Sequence, residues 1–525
     1  MSIQPILIAG EWRAAKASGT FHPENPATGE RLSHEFPTSV WSDCDDALNA
    51  AAEAANVLRA IPSEQIAKFL TRFAERIEAR KIEIVESSHA ETALPKAPRL
   101  ADVELPRTTN QLRQAAAAAL EGSWALPTID AKLSIRSVLG PLGPVLIFGP
   151  NNFPFAYNGI AGGDFASAIA AGNPVVAKAH PCHPNTSRLL AEEAFAAERE
   201  IGLPPATVQM IYNLAPEDGL RLAADPRLGA VGFTGSRVAG MKLKAAADAV
   251  GKPVYLEMSS LNPVVILPGA LAERCAKIVE DFTGSCLMGN GQFCTSPGLI
   301  ILLASNEAEQ FIAGVKAKLE SSTPGTLLSS GVARNLTASV KTLQSAGAEL
   351  VTGGSALAGN KFANTLLRVI GAQFLVAPEK LQTEAFGNAS LVVVARDAAE
   401  VENILTHLEG NLTGGIYSDT NGGDDALYEK FAPLLRSRVG RLLNDKMPTG
   451  VAVSPAMNHG GPFPATGHPG FTAVGIPASL RRFAALHCYD NVRPARLPAA
   501  LKNANPNGRM WRLIDGNWSQ GDVSA

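Results

Sequence analysis

The amino-acid sequence predicts an α/β protein of two or more domains, built on parallel sheets covered by helices. Two stretches, residues 143–267 and 297–450, alternate short β-branched runs with helical segments, which is typical of a parallel sheet with helices on both faces. The chain has 525 residues, 46% of them hydrophobic and 18% charged, and one domain usually holds about 100–200 residues. An all-helical core is less favoured, because the apolar runs are short and bounded by Gly or Pro.

The elements are predicted in the following order. Short strands near residues 5–9 precede an Ala-rich helix, Asp43–Ala60, with an acidic first turn, and a helical segment near Glu64–Thr92. The strands of the first alternating stretch are GPVLIF (143–148), NPVVAK (173–178), TVQMIY (207–212), GAVGFTG (229–235), PVYLE (253–257) and NPVVIL (262–267). Those of the second are GLIILLAS (298–305), LLRVI (366–370), SLVVVAR (390–396) and GGIYS (414–418). The tail after residue 450 is rich in Gly and Pro and shows few helical signals.

Charge, hydropathy and cysteine usage exclude several classes of function. The net charge of -3 and the lack of a Lys/Arg cluster argue against binding to nucleic acid or an anionic membrane. No apolar run reaches the ~18 residues of a membrane span, and the first residues do not resemble a signal peptide. The six cysteines form no CxxC pair, which argues against a disulfide framework and a zinc site. The expected location is the cytoplasm, with free thiols and no metal.

Two cysteines lie in a segment that suits a reactive thiol. Cys286 and Cys294 both belong to TGSCLMGNGQFCTSPG, where glycines allow close backbone approach and polar neighbours surround the sulfur. A free cysteine is more often a small buried hydrophobe. Local composition does not choose between the two residues.

Three further segments carry groups suited to catalysis or phosphate binding. Glu257 ends a predicted strand, where an acid often projects into a ligand crevice and can act as a general base. GFTGS places Gly235 and Ser236 at a helix start that suits phosphate. Asn152 follows GPVLIF, and its amide could stabilise an oxyanion. Each also has an ordinary reading as a salt bridge, a strand-to-helix turn or a loop turn.

Taken in series, the segments NNFPF, VVAKAHP, FTGS, LE, GQFC and EAFG resemble the aldehyde dehydrogenase superfamily in order and spacing across nearly the whole chain. The resemblance implies a Rossmann-type cofactor domain, an α/β catalytic domain and a small oligomerisation element. It implies Cys294 as nucleophile, Glu257 as general base and Asn152 as oxyanion donor together with the Cys294 backbone N–H. It assigns these residues to the cofactor: Lys178, Gly235, Ser236, Glu384 and Phe386.

The implied domains are as follows. The dinucleotide-binding domain covers residues 1–122 and 141–256, and the catalytic domain covers 257–453. Residues 123–140 and 454–525 form the oligomerisation and C-terminal segments. The expected assembly is a homodimer, or two dimers paired into a homotetramer.

Two departures from the family pattern bear on the cofactor and the base. Most members carry an acid shortly after the lysine, whereas this chain reads Lys178-Ala179-His180. A carboxylate there would repel a 2′-phosphate, so the sequence predicts NADP, with NAD as a second cofactor and His180 beside Lys178. The usual glycine pair after the general base is replaced in Glu257-Met258-Ser259-Ser260, which predicts reduced mobility of the carboxylate.

The segments ETALP, RTTNQLR, EGSW and HGGPFPAT look like the 2-oxoglutarate semialdehyde (2,5-dioxopentanoate) dehydrogenase branch. That substrate carries a distal carboxylate and needs cationic and amide donors. Arg107, Asn110 and Gln111 have helical spacing and are the predicted substrate residues, although Arg107 also reads as a solvated helix residue. Where this branch usually reads NGYPTGVEV, the chain has NDKMPTGVAV (444–453). The alternatives are an NADP-dependent dehydrogenase of neutral medium-chain or aromatic aldehydes and a non-catalytic binding relative.

Overall fold

The structure is a computed structural model that describes residues 3–523. Its strands, in chain order, are β1 (Ile6–Ile8), β2 (Glu11–Arg13), β3 (Ala17–Phe21), β4 (Phe36–Ser39), β5 (Thr128–Asp130), β6 (Ile135–Pro141), β7 (Val145–Phe148), β8 (Val175–Lys178), β9 (Val208–Ile211), β10 (Asn213–Leu214), β11 (Ala230–Thr234), β12 (Val254–Glu257), β13 (Val264–Ile266), β14 (Leu299–Leu303), β15 (Glu349–Thr352), β16 (Ala356–Leu357), β17 (Lys361–Phe362), β18 (Thr365–Ile370), β19 (Ala389–Ala395), β20 (Asn411–Tyr417), β21 (Val439–Asn444), β22 (Ala484–Asp490), β23 (Arg512–Ile514) and β24 (Asn517–Ser519).

The α-helices are α1 (Trp41–Leu58), α2 (Ser63–Ala79), α3 (Lys81–Thr92), α4 (Leu105–Glu121), α5 (Gly163–Ala170), α6 (Pro184–Ile201), α7 (Pro216–Ala223), α8 (Arg237–Asp248), α9 (Pro268–Leu287), α10 (Asn306–Ser321), α11 (Ser330–Ser345), α12 (Gly371–Val376), α13 (Pro378–Leu381), α14 (Ala398–His407) and α15 (Asp425–Arg436). The segment predicted near Glu64–Thr92 is divided into α2 and α3. The break lies at Arg80, whose backbone leaves the helical region and whose guanidinium pairs with Glu192 and Glu193 of α6.

The first sheet has seven strands in the order β12-β11-β7-β8-β9-β1-β2. The five strands from β12 to β9 are parallel, and β1 adds to β9 in the antiparallel direction. Phe148 pairs with both Lys178 and Phe233, and Thr234 pairs with Glu257. The carboxyl ends of four strands therefore meet at one edge, where ligands of such sheets bind.

The second sheet also has seven strands, in the order β15-β18-β19-β14-β13-β20-β21. NPVVIL belongs here and not with the first alternating stretch, because β13 pairs with β14 and β20. The turn that redirects the chain contains Asn262 in the left-handed region (φ 51°), a conformation that Asn adopts more readily than most residues. Glu257 ends a strand of the first sheet, so the change of sheet falls after this residue.

A third sheet joins the two segments predicted for oligomerisation. Its strands follow the order β22-β6-β5-β23-β24, so residues 128–141 pair with strands from the end of the chain. Residues 454–483 do not join this sheet. They run along the first sheet instead, where the Met258 N–H donates to the Ala465 carbonyl (2.8 Å) and the Gly467 N–H to the Leu256 carbonyl (3.1 Å).

Within residues 3–523, no helix combines the length and the apolar character needed to cross a membrane.

Candidate active site

Glu257 lies at the carboxyl end of β12 and is held on both sides. β11 pairs with β12 along one side, and Thr466 forms a bridge with Glu257 on the other. The carboxylate is 2% exposed. Its Oε1 lies 3.0 Å from Nε2 of His459, and its Oε2 has no partner in the described part of the chain. An acid of this kind keeps one oxygen free to accept a proton from water.

Cys294 comes from the other sheet, in the loop that precedes β14. Its Sγ lies 3.4 Å from the same His459 Nε2. Burial, followed by the charge of Glu257, raises the pKa of Cys294 well above its ordinary value, while the charge of Arg107 opposes this shift. The structure therefore places a thiol and a carboxylate at one point, but in surroundings that disfavour the thiolate.

The structure separates the two cysteines that local composition leaves equivalent. Cys286 lies on the buried face of α9 among apolar side chains such as Phe282. Burial raises its pKa to about 12, and its Sγ contacts the Thr283 carbonyl. Cys286 is a small core residue, whereas Cys294 lies beside His459 and Glu257.

His459 is the site residue that sequence reasoning missed. It is 1% exposed, and its backbone N–H donates to Thr472 Oγ1 (3.0 Å). Its ring lies 5.8 Å from that of Tyr157, and its Nδ1 has no partner among residues 3–523. HGGPFPAT contains this histidine, but the motif indicates only the substrate branch and predicts no role for His459.

Two donors suited to an oxyanion lie beside the thiol. Asn152 follows β7, and its Nδ2 donates to the Gln292 carbonyl (2.9 Å), which leaves its second N–H free. No acceptor for the Cys294 backbone N–H is found in the described part of the chain. The Asn152 backbone carbonyl accepts a hydrogen bond from Arg99 (3.0 Å), which steadies the loop that carries the amide.

The expectation of no metal rested on cysteine spacing. In the folded chain, ligand atoms of Glu257, Cys294 and His459 lie within 4.8 Å of one another, although the residues are far apart in sequence. These are donor types that bind zinc. The same three groups are also those that a reactive thiol and a general base need.

Lys178 ends β8 beside the crevice predicted for the dinucleotide. Burial lowers its pKa to about 8, and it forms no ion pair among the described residues. A buried ammonium without a partner fits a ligand that supplies hydroxyl or phosphate oxygens. His180 is stacked on His183 at 5.4 Å, and its Nδ1 accepts from the Cys182 N–H (3.2 Å).

Burial lowers the pKa of His180 well below its ordinary value, so it is neutral at pH 7. It can offer a hydrogen bond to a 2′-phosphate but no positive charge.

Ser236 is the N-cap of α8, and its Oγ accepts from the Ala239 N–H (3.4 Å). The Gly235 N–H is already used, because it donates to the Glu257 carbonyl (3.1 Å). Phosphate binding at this turn would therefore fall to the Ser236 hydroxyl and the first-turn amides of α8.

Glu384 and Phe386 precede β19, on the second sheet's side of the crevice. Burial raises the pKa of Glu384 to about 7, opposed by hydrogen bonds from Ser259 and Ser260. Glu384 also shares a small cavity with Arg237 and Glu409. Phe386 is two residues from Glu384 and is partly exposed, so both side chains can be reached by one ligand.

The predicted substrate residues do not all share one face of α4. The half-buried Arg107 donates to Tyr157 Oη (2.9 Å) and to Gln111 Oε1 (3.3 Å). Gln111 is buried, and its amide donates to the Ala156 carbonyl (3.3 Å), so it positions Arg107. Asn110 is exposed on the same helix, and its contact with the substrate stays a prediction.

Arg441 on β21 is a second arginine that no motif marked. It donates to the carbonyls of Pro448 (2.9 Å) and Gly450 (3.2 Å), inside the segment that departs from the branch pattern. Burial lowers its pKa, opposed by the charges of Cys294 and Tyr157. Arg107 and Arg441 therefore both interact electrostatically with Cys294.

A thiol and an acid lie between a parallel sheet of the dinucleotide-binding type and a second α/β sheet, which is an arrangement suited to a cofactor-dependent enzyme. The profile of the aldehyde dehydrogenase family matches residues 12–455, and the chain belongs to this family. It is an NAD(P)-dependent aldehyde oxidoreductase.

Three known proteins illustrate the similarity. Alpha-ketoglutaric semialdehyde dehydrogenase 2 of Azospirillum brasilense is 37% identical, over 98% of this chain and 99% of that protein. Alpha-ketoglutaric semialdehyde dehydrogenase of Acinetobacter baylyi is 35% identical, over 98% of each. The solved structure of 1-pyrroline-5-carboxylate dehydrogenase from Thermus with bound NAD has a TM-score of 0.81 at 23% identity, covering 93% of this chain and 92% of that one, which confirms the fold.

Proposed function

We propose that this enzyme oxidises 2-oxoglutarate semialdehyde (2,5-dioxopentanoate) to 2-oxoglutarate, with NADP preferred over NAD. The observation that carries the substrate is the near full-length similarity to two alpha-ketoglutaric semialdehyde dehydrogenases. The guanidinium of Arg107 supports it, because only part of its hydrogen-bonding capacity is used inside the protein. A carboxylate accepts two such N–H groups at once.

The proposed reaction has two halves. In the first, Cys294 Sγ bonds to the aldehyde carbon, and Asn152 and the Cys294 N–H donate to the resulting oxyanion. The nicotinamide, when bound, accepts the aldehyde hydrogen as hydride. In the second half, Glu257 takes a proton from water, the water oxygen attacks the Cys294 thioester, and the sulfur leaves.

The proposed cofactor contacts are those of Lys178, His180, Ser236, Glu384 and Phe386. The preference for NADP rests on the unpaired Lys178 and on the lack of an acid directly after it. Gly235 leaves room for the Phe233 ring, which a Cβ at this position would meet at 2.7 Å, and its N–H is already bound to the Glu257 carbonyl.

A panel of aldehydes with both cofactors tests these assignments. Glutaric semialdehyde and pentanal form a matched pair of equal chain length that differs in the distal carboxylate. We expect a higher kcat/KM for the acid of each pair, highest for 2,5-dioxopentanoate, and a higher value with NADP than with NAD. Equal values within the pair would favour the neutral-aldehyde alternative, which Phe153 and Phe293 support because their rings lie 5.2 Å apart beside Cys294.

We further propose that a second copy of this chain pairs along β22, the edge strand of the third sheet, giving a dimer or a pair of dimers. Leu486 on this strand is 67% exposed, and an exposed apolar edge strand is a ready pairing surface. The proposed compartment is the cytoplasm. All six cysteines are free, and a thiol enzyme needs a reducing environment.

A further inference from the structure

The first half of the reaction needs a thiolate, and the structure buries the thiol beside an acid. A carboxylate next to a forming thiolate repels it, and burial removes the water that would solvate the charge. The neighbouring groups able to accept the thiol proton are Glu257 and His459. The choice between these two acceptors matters only if the enzyme has the function proposed above.

Glu257 is poorly suited to this step. If it took the thiol proton, it would enter the hydrolytic half already protonated, and it could not then accept a proton from water.

His459 has the required position. Its Nε2 lies 3.4 Å from Cys294 Sγ and 3.0 Å from Glu257 Oε1. A proton moved from Sγ to Nε2 gives a thiolate and a carboxylate with an imidazolium between them. A cation between two anions removes much of the repulsion that otherwise keeps the thiol neutral.

The ring is held in one position. Its backbone is held by hydrogen bonds to Thr472 and Ala473, and its centroid lies 5.8 Å from that of Tyr157. Cys294 Sγ and Glu257 Oε1 meet the same nitrogen, so the form of the ring that accepts the thiol proton carries its hydrogen on Nδ1, which has no partner within residues 3–523.

We propose that His459 is a further catalytic residue, which takes the proton from the Cys294 thiol and later returns it to the same sulfur. As the S–C bond forms, the thiol proton passes to Nε2 and the carbonyl electron pair moves to oxygen. In the hydrolytic half, water gives its proton to Glu257, the C–S bond breaks with its electrons on sulfur, and His459 returns its proton to that sulfur. Glu257 then releases its proton to solvent.

The test measures the alkylation of Cys294 by iodoacetamide against pH, in the full-length enzyme, with peptide mass spectrometry to follow this cysteine alone. His459→Phe keeps a planar ring against Tyr157 but has no nitrogen. We expect the apparent pKa of the thiol to rise by about two units and alkylation at pH 7 to fall about 10²-fold. His468→Phe is the matched control, because His468 is exposed on the same segment and its variant should keep the wild-type profile.

A purely structural role would give a different result. His459→Ala leaves space for imidazole, and added imidazole should restore part of the lost alkylation rate and of the first-turnover burst of NADPH. If His459→Phe does not fold, as judged by circular dichroism, His459→Gln replaces it with the same expected shift. An unchanged pH midpoint, or a slower rate with no imidazole rescue, overturns the proposal.

These outcomes are distinct from failure of the proposed function. Full activity of Cys294→Ser would exclude Cys294 as the nucleophile, independently of the role of His459. An inactive Cys294→Ser together with a normal pH profile in the His459 variants would leave the function standing and remove only this inference.

Discussion

Replacing Arg107 by methionine removes the guanidinium and keeps a side chain of similar length. In the structure this group donates to Tyr157 Oη and Gln111 Oε1. Its remaining N–H groups are available to a substrate carboxylate. Hydrogen bonds to charged groups contribute about 1.5–3 kcal/mol, and about 1.4 kcal/mol is tenfold in rate. We therefore expect kcat/KM for an acidic aldehyde to fall about 10- to 150-fold through lost recognition.

Arg107→Met also changes the pKa of Cys294, and this effect must be separated from the loss of substrate recognition. Burial raises the pKa of Cys294, and the charge of Arg107 works against that shift. Arg107→Met should therefore lower kcat/KM for every aldehyde, because the thiolate becomes harder to form. The loss with pentanal measures this general effect, and the additional loss with glutaric semialdehyde measures recognition of the carboxylate.

A matched variant and a second probe make this separation sharper. Arg113→Met changes the same residue type on α4, but Arg113 pairs with Glu78, and its variant should leave the acid-to-neutral ratio unchanged. Iodoacetate and iodoacetamide differ mainly in charge, so Arg107→Met should lower the ratio of their alkylation rates at Cys294. Equal losses with both aldehydes and an unchanged reagent ratio would contradict the assignment of Arg107 to the substrate.

Four further predictions follow from the described geometry. Cys286→Ala should keep activity, whereas Cys294→Ser should lose it by about 10³-fold or more in steady-state assays. Lys178 loses its charge as pH rises through about 8, so kcat/KM for NADP should fall above that pH, and Lys178→Gln should lower it and flatten the profile. Burial raises the pKa of Glu198 to about 8, so its ionisation costs stability as pH rises from about 4.5 towards 8. Glu198→Gln should raise Tm more at pH 8.5 than at pH 5, and equal gains would exclude this cause. Leu486→Lys should shift the assembly to smaller species in light scattering, and an unchanged mass would argue against pairing along β22.

The elements were predictable because their causes are local. Runs such as VVAK and VYLE are short, each follows a Pro and contains Val, and each is a strand in the structure. The order of motifs along the chain likewise predicted the family, which is confirmed. Periodicity grouped NPVVIL with the first alternating stretch, whereas the implied domain bounds placed it after residue 257, and in the structure it pairs with strands of the second sheet. A periodicity shows that a strand exists but not which sheet it joins.

Sequence reasoning assigned site residues only where one motif carries one role, and those assignments stay predictions. His459 lies 165 residues from Cys294 and 202 from Glu257 in sequence, so spacing gave no indication that the three meet. Asn110 shows that residues close together in sequence can differ in their surroundings. Helical spacing placed it with Arg107 and Gln111, but a helix presents an arc of residues, and only part of that arc faces the protein.

The segment after Glu257 links the predicted loss of mobility to the presence of His459. The Met258 N–H donates to Ala465, and Ser260 Oγ accepts from the Leu412 N–H (2.9 Å), so backbone and side chain are both tied down. A glycine pair in this place would allow larger backbone rotation. A carboxylate that moves could serve the thiol and the water in turn, whereas one that is anchored can serve only what lies within reach. In this chain the anchored Glu257 already contacts His459, and His459 contacts the thiol. The replacement of the glycine pair by Ser259 and Ser260 and the presence of His459 therefore belong to one arrangement, in which a fixed base is connected to the nucleophile through an imidazole.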